Sequence, residues 1–213
     1  MDQRAIDPNG RSKKFSRNKD EKVRRIIETT FQLIAEKEYD NLTTNHIAEA
    51  ANVSIGTIYR YFPEGKAAIV LAVAEDMYQK LPVEELLRDV ETNNLQELVS
   101  TFIRFYVKYH RDNYRMIKAT EKASLSSRAV RDDIDSFIKQ NLDNFLVFFK
   151  KFPMLTQFTL EEVQNKISIM IKAMDSIIHR HLLISPIFKT DEDLIAFLVD
   201  LSVKLVENSF MRV

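Results

Sequence analysis

Cysteine is absent from this chain of 213 residues, and glycine and proline are scarce, with three and five residues respectively. The lack of cysteine excludes disulfide frameworks, thiolate metal sites and cysteine nucleophiles. Because glycine and proline punctuate strands, turns and long loops, their scarcity favours long helices joined by few connections. We therefore expect an all-α protein.

Long apolar runs are also absent. No stretch reaches the roughly 18–20 residues needed to cross a bilayer, and the polar start MDQRAIDPNGRSKK lacks the apolar core of a secretory signal. Hydrophobic residues make up 45% of the chain and charged residues 29%, a balance typical of globular domains with a sizeable core. These features predict a cytoplasmic protein with no membrane partner.

The formal net charge is zero, so bulk charge gives no support to a nucleic-acid partner. Residues 1–25 nevertheless carry nine lysines and arginines against four acids. Residues 1–18 contain Pro8 and Gly10 and show no apolar period, which indicates a flexible basic tail. Apolar residues recur at helical spacing from about residue 19 to 38, where we expect the first helix.

Two short helices separated by a tight break follow the first one. Thr43 and Thr44 supply N-cap chemistry for the first of them and Ser54 for the second, because a hydroxyl can accept a hydrogen bond from the free amides that open a helix. Two short helices joined by about three residues make a helix-turn-helix. In the second helix Ile58 and Phe62, four residues apart, would anchor one face while the other face meets DNA.

The sequence between Leu42 and Phe62, followed by Lys66, closely resembles the TetR family, and the resemblance covers about residues 22–75. It implies an N-terminal three-helix DNA-binding domain (19–66) and a C-terminal helical ligand-binding and dimerisation domain (67–213). Such a protein represses transcription until a small molecule releases it from operator DNA. Position by position, the resemblance implies base contacts by Asn45, Ile55, Gly56, Thr57 and Arg60, and phosphate contacts by Thr43, Thr44, Tyr59, Tyr61 and Lys66.

The chain departs from the family pattern at Gly65. Many members place the lysine three residues after the position of Phe62, whereas Lys66 comes four residues after it. Taken singly, Thr43 and Ser54 could serve only as helix caps, and Tyr59 and Phe62 only as core residues. The joint pattern is what indicates DNA binding.

A linking helix near 66–81 should be followed by further helices, with Asn, Ser and Pro residues as breaks. The last two carry apolar stripes, which by resemblance pair with their symmetry mates in a four-helix bundle. A two-fold dimer would match a palindromic operator. The expected helices are near 83–90, 95–112, 114–123, 128–151, 160–183 and 191–211.

Six cations at successive spacings of four and three would lie on one face of continuous helix: Arg104, Lys108, Arg111, Arg115, Lys118 and Lys122. A stripe of one sign suggests an anionic partner. Neutralisation by acids from other helices is the open alternative, and a break near Asn113 would split the stripe.

Aromatic and methionine residues crowd the same half of the chain; most should pack in the core, and a few could line an apolar pocket. Combined with the cations, they suggest a fatty acyl-CoA effector. Hydrophobic drug-like molecules, other lipids and a protein-interaction module are the alternatives. The candidate ligand-binding residues are Arg104, Phe105, Lys108, Tyr109, Arg111, Arg115, Phe145 and Phe149.

The enzyme class has little support, because none of the four histidines lies in a triad or metal-ligand signature. His179 and His181 are two residues apart on an expected helix, so their side chains diverge by roughly 200°. We therefore expect no catalytic residue, no cofactor and no metal.

Overall fold

The computed structural model describes the backbone of residues 10–82, 85, 88, 94–149 and 159–210, and the side chains of 19–82, 85, 88, 94–137, 139, 159 and 161–208. In these ranges every long element is an α-helix, so the all-α expectation is confirmed. The helices are α1 (Gly10–Glu36), α2 (Thr44–Ala50), α3 (Ile55–Tyr61), α4 (Lys66–Gln79), α5 (Leu95–Asp112), α6 (Tyr114–Ser126), α7 (Arg128–Phe149), α8 (Leu160–His179) and α9 (Asp191–Phe210).

The bounds of α5 are the expected ones, whereas α1 begins at Gly10 instead of near residue 19. The expected tail therefore continues the first helix from Gly10 onward. Residues 11–18 lack apolar periodicity. They contain neither glycine nor proline, however, and several of them are good helix formers. Residues 1–9 and most of the expected helix at 83–90 lie outside the described residues.

Side-chain caps begin several of the helices. Thr43 and His46 form a capping box at α2, in which each side chain bonds the backbone of the other residue. Ser54 accepts from the amide of Thr57 at α3, and Thr159 with Glu162 forms a second capping box at α8. These hydroxyl caps at α2 and α3 agree with the sequence prediction.

The chain divides into two compact units. Unit 1 comprises Met1–Asp76 and Ala119–Arg131, and unit 2 comprises Met77–Lys118 and Asp132–Val213. The sequence predicts a single boundary between the two folded domains, at 66/67, because chain order alone cannot show that a later segment returns to an earlier unit.

The core of unit 1 is built from branched aliphatic residues on its first four helices. Ile26, Ile47, Ile58 and Ile69 are fully buried. The later segment adds Ala119, Ala123 and Val130, which are at most 1% exposed. This core holds α2 and α3 in place.

The core of unit 2 joins α5, α8 and α9. Ile103 and Val107 on α5 pack with Met174 and Ile178 on α8 and with Leu198 on α9. The expectation that the stripes of the last two helices form the dimer interface needs correction, because most of their members are buried in the core of the same chain. These members are Val163, Ile167, Met174, Ile178, Leu194 and Leu198.

Other apolar residues of α8 and α9 face outward. Ile169 on α8 is 70% exposed, and Phe197 and Leu205 on α9 are 44% and 40% exposed. Phe197 and Leu205 are eight residues apart, which places them on one helix face.

Among the described residues, no helix combines the length and apolarity that a membrane span requires.

Candidate nucleic-acid interface and effector pocket

The two faces of α3 differ sharply. Ile58 is fully buried and Phe62, which ends the helix, is 7% exposed, so this face anchors α3 to the core of unit 1. Ile55 and Tyr59 are 40% and 50% exposed, an unusual setting for large apolar and aromatic side chains. Gly56 and Arg60 are also exposed, while Thr57 and Tyr61 are half-buried.

Side chains of α2 and α3 meet at the same surface. The Thr44 hydroxyl lies 3.4 Å from that of Tyr59 across the turn. Arg60 donates to the Tyr61 hydroxyl at 2.6 Å, and its guanidinium carbon lies 4.8 Å from the centre of that ring. Asn45 and Thr43 are exposed at the start of α2. Thr44 and Tyr59 thus bring α2 and α3 together on the exposed side of unit 1.

Lys66 is placed differently from the expected phosphate contact. Its ammonium donates to the carbonyl oxygen of Tyr39 at 2.7 Å and lies 3.9 Å from the centre of the Tyr39 ring. Burial lowers the pKa of Lys66, although the nearby Asp40 carboxylate opposes that shift. In this conformation Lys66 links the start of α4 to the turn after α1. A phosphate contact would require the Lys66 ammonium to give up its contacts with Tyr39.

Gly65 explains the departure from the family spacing. Its φ of +60° lies in the left-handed region, and a Cβ there would lie 3.3 Å from both Thr44 Cγ2 and Tyr59 Cε1. Glycine therefore allows the turn before α4 to pass close to the side chains of α2 and α3.

We expect Gly65→Ala to lower the free energy of unfolding by roughly 1–2 kcal/mol, because alanine is strained at positive φ and its methyl group crowds Thr44 and Tyr59. Chemical denaturation monitors the loss. Gly56→Ala is the matched control, since a Cβ at Gly56 meets only the Ser54 hydroxyl oxygen at 3.8 Å. Equal stability of the two variants would contradict this role of Gly65.

These features define an all-helical protein whose N-terminal unit carries a helix-turn-helix with an exposed polar face. Residues 26–73 match the sequence model of the family described as "Bacterial regulatory proteins, tetR family". Residues 26–73 are thus a domain of the TetR family, as the resemblance predicted.

Two curated relatives each match about a quarter of the chain. The HTH-type transcriptional repressor KstR of Rhodococcus jostii (strain RHA1) is 36% identical over 56 residues, which are 26% of each chain. The uncharacterized HTH-type transcriptional regulator YuxN of Bacillus subtilis (strain 168) is 38% identical over 60 residues, 28% of this chain and 20% of YuxN. The match thus spans about a quarter or less of these relatives. Both are described as regulators of transcription and not as enzymes.

Solved structures extend the likeness of fold to nearly the whole chain. A TetR transcriptional regulator from Rhodococcus sp. RHA1 has a TM-score of 0.68 at 18% identity, covering 90% of this chain and 98% of that one. The fatty acid degradation regulator FadR from Bacillus halodurans has a TM-score of 0.59 at 18% identity, covering 86% and 94%. Both units therefore have the fold of TetR regulators.

The predicted cationic stripe is largely neutralised by acids. Arg104 donates to both carboxylate oxygens of Glu192 at 2.9 and 2.8 Å, and Lys108 pairs with Asp112 at 2.6 Å. Lys122 pairs with Asp40, within unit 1. Asn113 separates α5 from α6, so the stripe is split at the break that the sequence indicated. Neutralisation by acids from other elements, the alternative left open by the sequence, thus describes Arg104 and Lys122, whereas Lys108 pairs with an acid of its own helix.

Arg111 belongs to the same pattern. It donates to both carboxylate oxygens of Asp191, with 3.0 Å between its Nε and Asp191 Oδ2. These hydrogen bonds lower the pKa of Asp191. Arg104 and Arg111 on α5 therefore bind the acids in the first turn of α9. An anionic ligand could contact these arginines only by displacing Glu192 and Asp191.

An apolar pocket lies in unit 2 between α5, α8 and α9. Phe102 and Ile103 line it from α5, Met170 and Ile171 from α8, and Ser202 from α9. Its free space is about 20 Å³, enough for one water-sized molecule. A larger ligand therefore requires these helices to move apart.

Of the predicted ligand-binding residues, Phe105 and Tyr109 are half-buried, with ring centres 6.2 Å apart. Arg115 is exposed on α6. Phe145 and Phe149 lie on α7, outside the residues whose side chains are described. Pocket residues such as Met170 and Ser202 were missed, because their helical spacing is the same as that of ordinary core residues.

Proposed function

We propose that the chain is a transcriptional repressor that binds operator DNA through α2 and α3. The exposed face of α3, with Ile55, Gly56, Tyr59 and Arg60 opposite the buried Ile58, is the observation that carries the proposal. A recognition helix needs such a face for base edges and a buried face for anchorage. We assign base contacts to Asn45, Ile55, Gly56, Thr57 and Arg60, and phosphate contacts to Thr43, Thr44, Tyr59, Tyr61 and Lys66.

Selection from a pool of random-sequence DNA duplexes tests this function without knowledge of the operator. The full chain should enrich one palindromic sequence, with half-sites about 34–36 Å apart, as expected for two recognition helices related by a two-fold axis. A pool that remains random after repeated rounds at moderate salt would contradict the proposal.

The repressor acts as a homodimer in this proposal. The outward-facing Ile169, Phe197 and Leu205 on α8 and α9 form the apolar surface that a second copy would cover. A symmetric dimer places the same patch on both sides of its interface. The two helices expected from the sequence remain the dimer helices in this proposal, and their exposed apolar residues, including Leu205 of the predicted stripe, replace the buried ones.

The effector is proposed to be an apolar or amphipathic small molecule that opens the pocket of unit 2. The pocket is lined by apolar side chains apart from Ser202, which donates to the sulfur of Met174 at 3.2 Å. A fatty acyl-CoA is the specific candidate, with its chain in this pocket and its phosphates on Arg104, Lys108 or Arg111. The description of FadR as a fatty acid degradation regulator agrees with a lipid-like effector.

Binding of the effector must favour a conformation of the dimer in which the recognition helices no longer fit the operator. Three helices provide covalent connections between the units, since α4 and α7 continue from unit 1 into unit 2 and α6 continues from unit 2 into unit 1. Of these connecting helices, the sequence predicted only α4.

We expect palmitoyl-CoA to release delipidated protein from its operator at micromolar concentration, on the order of affinities usual for such ligands, while free CoA does not. Met170→Trp, which fills the pocket, should reduce binding of palmitoyl-CoA and of palmitate. Arg104→Glu should reduce binding of palmitoyl-CoA alone. Calorimetry measures each affinity.

The pattern of losses identifies the ligand class. If palmitate binds and palmitoyl-CoA does not, the effector is a lipid without the CoA head group. If neither binds to wild type, the fatty acyl proposal is wrong, whereas the DNA-binding proposal rests on unit 1 and is unaffected.

A further inference from the structure

A cluster of two histidines and one aspartate lies within unit 2. His110 is on α5, while Asp175 and His179 are four residues apart on α8 and therefore share a helix face. One potential ligand atom from each residue lies within 4.8 Å of the other two. The imidazole centres of His110 and His179 are 5.1 Å apart.

Hydrogen bonding orients His110 toward this cluster. Its Nδ1 lies 2.8 Å from the carbonyl oxygen of Tyr106, which can only accept, so Nδ1 carries the proton. In the neutral form of the ring this leaves the lone pair on Nε2, which lies 3.7 Å from Asp175 Oδ1. Histidines that ligate metals commonly donate their second ring nitrogen to a backbone carbonyl in this way.

Asp175 is held by the same tyrosine. The Tyr106 hydroxyl donates to Asp175 Oδ1 at 2.6 Å, while the Tyr106 ring contacts the His110 ring with centres 4.3 Å apart. Burial, followed by the neighbouring Asp175 carboxylate, raises the pKa of Tyr106 well above its usual range, which keeps this donor protonated. Tyr106 thus supplies the outer contacts of two potential ligands.

The donor set matches the preferences of a borderline transition-metal ion. Zn²⁺ is commonly bound by imidazole nitrogens and carboxylate oxygens, and ligands at about 2.1 Å in tetrahedral geometry are roughly 3.4 Å apart. The 3.7 Å between His110 Nε2 and Asp175 Oδ1 is close to that value. His110 is 4% exposed, so solvent competes weakly at its nitrogen.

We propose that His110, Asp175 and His179 form a Zn²⁺ site that joins α5 to α8, with Tyr106 as its positioning residue. Three protein ligands leave a fourth position for water or another donor. Because α5 and α8 also line the apolar pocket, bound Zn²⁺ would resist their separation. The site does not depend on DNA binding, and its test uses no DNA.

Calorimetric titration of untagged, chelator-treated full-length protein with ZnCl2 tests the site. We expect one Zn²⁺ per chain with a Kd in the micromolar range or tighter, and a visible absorption spectrum of bound Co²⁺ typical of tetrahedral coordination. Asp175→Asn and His179→Gln should each weaken Zn²⁺ binding at least tenfold. Asp175→Asn retains an oxygen that accepts from Tyr106, so this variant should remain folded.

His181→Asn is the matched control. His181 is also buried, but its Nδ1 accepts from the amides of Ile187 and Phe188, an acceptor role that the asparagine oxygen can take over. Zn²⁺ affinity of this variant should equal that of wild type. The proposal is overturned if wild type binds no Zn²⁺, or if Asp175→Asn binds it as tightly as wild type does. Either result would assign the cluster to core hydrogen bonding alone.

Discussion

Phe197→Glu combined with Leu205→Glu is expected to produce monomers and to weaken operator affinity by roughly 10²–10⁴-fold, because a monomer loses the gain from binding two linked half-sites. Both side chains are substantially exposed on one face of α9, and the proposed dimer buries them. A carboxylate at that position would lose its hydration without gaining a partner. Sedimentation measures the mass, and gel shifts on the selected operator measure the affinity.

The same type of substitution elsewhere on the surface provides the control. Leu125 is 75% exposed near the end of α6, within unit 1. Leu125→Glu should leave both the mass and the operator affinity unchanged. If the α9 double variant remains a dimer with wild-type affinity, the proposed interface is wrong, although the helix-turn-helix assignment remains open to its own test.

Arg60→Ala is expected to weaken operator binding by about 10–100-fold, since one good contact of an arginine with a base contributes about 1–3 kcal/mol of discrimination. The loss should be largest for the selected sequence and small for unrelated DNA. Arg60 is exposed, so the free energy of unfolding should change by no more than about 0.5 kcal/mol. Titrations with operator and unrelated duplexes at one fixed salt concentration separate these effects.

Arg180→Ala removes the same charge from an exposed position in unit 2 and should leave operator affinity as in wild type. Equal affinities of the Arg60 and Arg180 variants for the operator would remove Arg60 from the base contacts. A uniform loss on all DNA sequences would move it to the phosphate contacts instead.

Local signals in the sequence predicted much of unit 1. The caps formed by Thr43 and Ser54 depend on residues only three positions away, so they are visible in the sequence as they are in the structure. The burial of Ile58 and Phe62 follows from their spacing of four. The DNA-contact residues themselves were predicted from the family resemblance. The structure adds the exposure of Ile55 and Tyr59 and the contact between Thr44 and Tyr59.

Long-range charge pairing could not be predicted in the same way. Arg104 and Arg111 look like a basic face on α5, and the acids that pair with them, Glu192 and Asp191, lie about 80 positions later in the sequence. Those acids also stabilise the first turn of α9, because the helix dipole favours negative side chains there. Only the tertiary fold shows that one set of acids has both roles.

The candidate metal cluster was missed for a related reason. In the sequence, the histidine nearest to His179 is His181, and the side chains of these two residues diverge on a helix. The residue that meets His179 is His110 on another helix. Likewise, the packing of Ala119 and Ala123 in unit 1 gives no local signal, because small residues at helical spacing occur in many solvent-facing helices.

The central claim is that two copies of α3 read the major groove of one operator. Methylation interference tests it directly, since methyl groups on guanine N7 project into the major groove. We expect interference at two symmetric clusters of guanines, about one helical turn apart on one side of the selected duplex, and their weakening in Arg60→Ala. Tight binding that is indifferent to N7 methylation throughout the site would contradict the account.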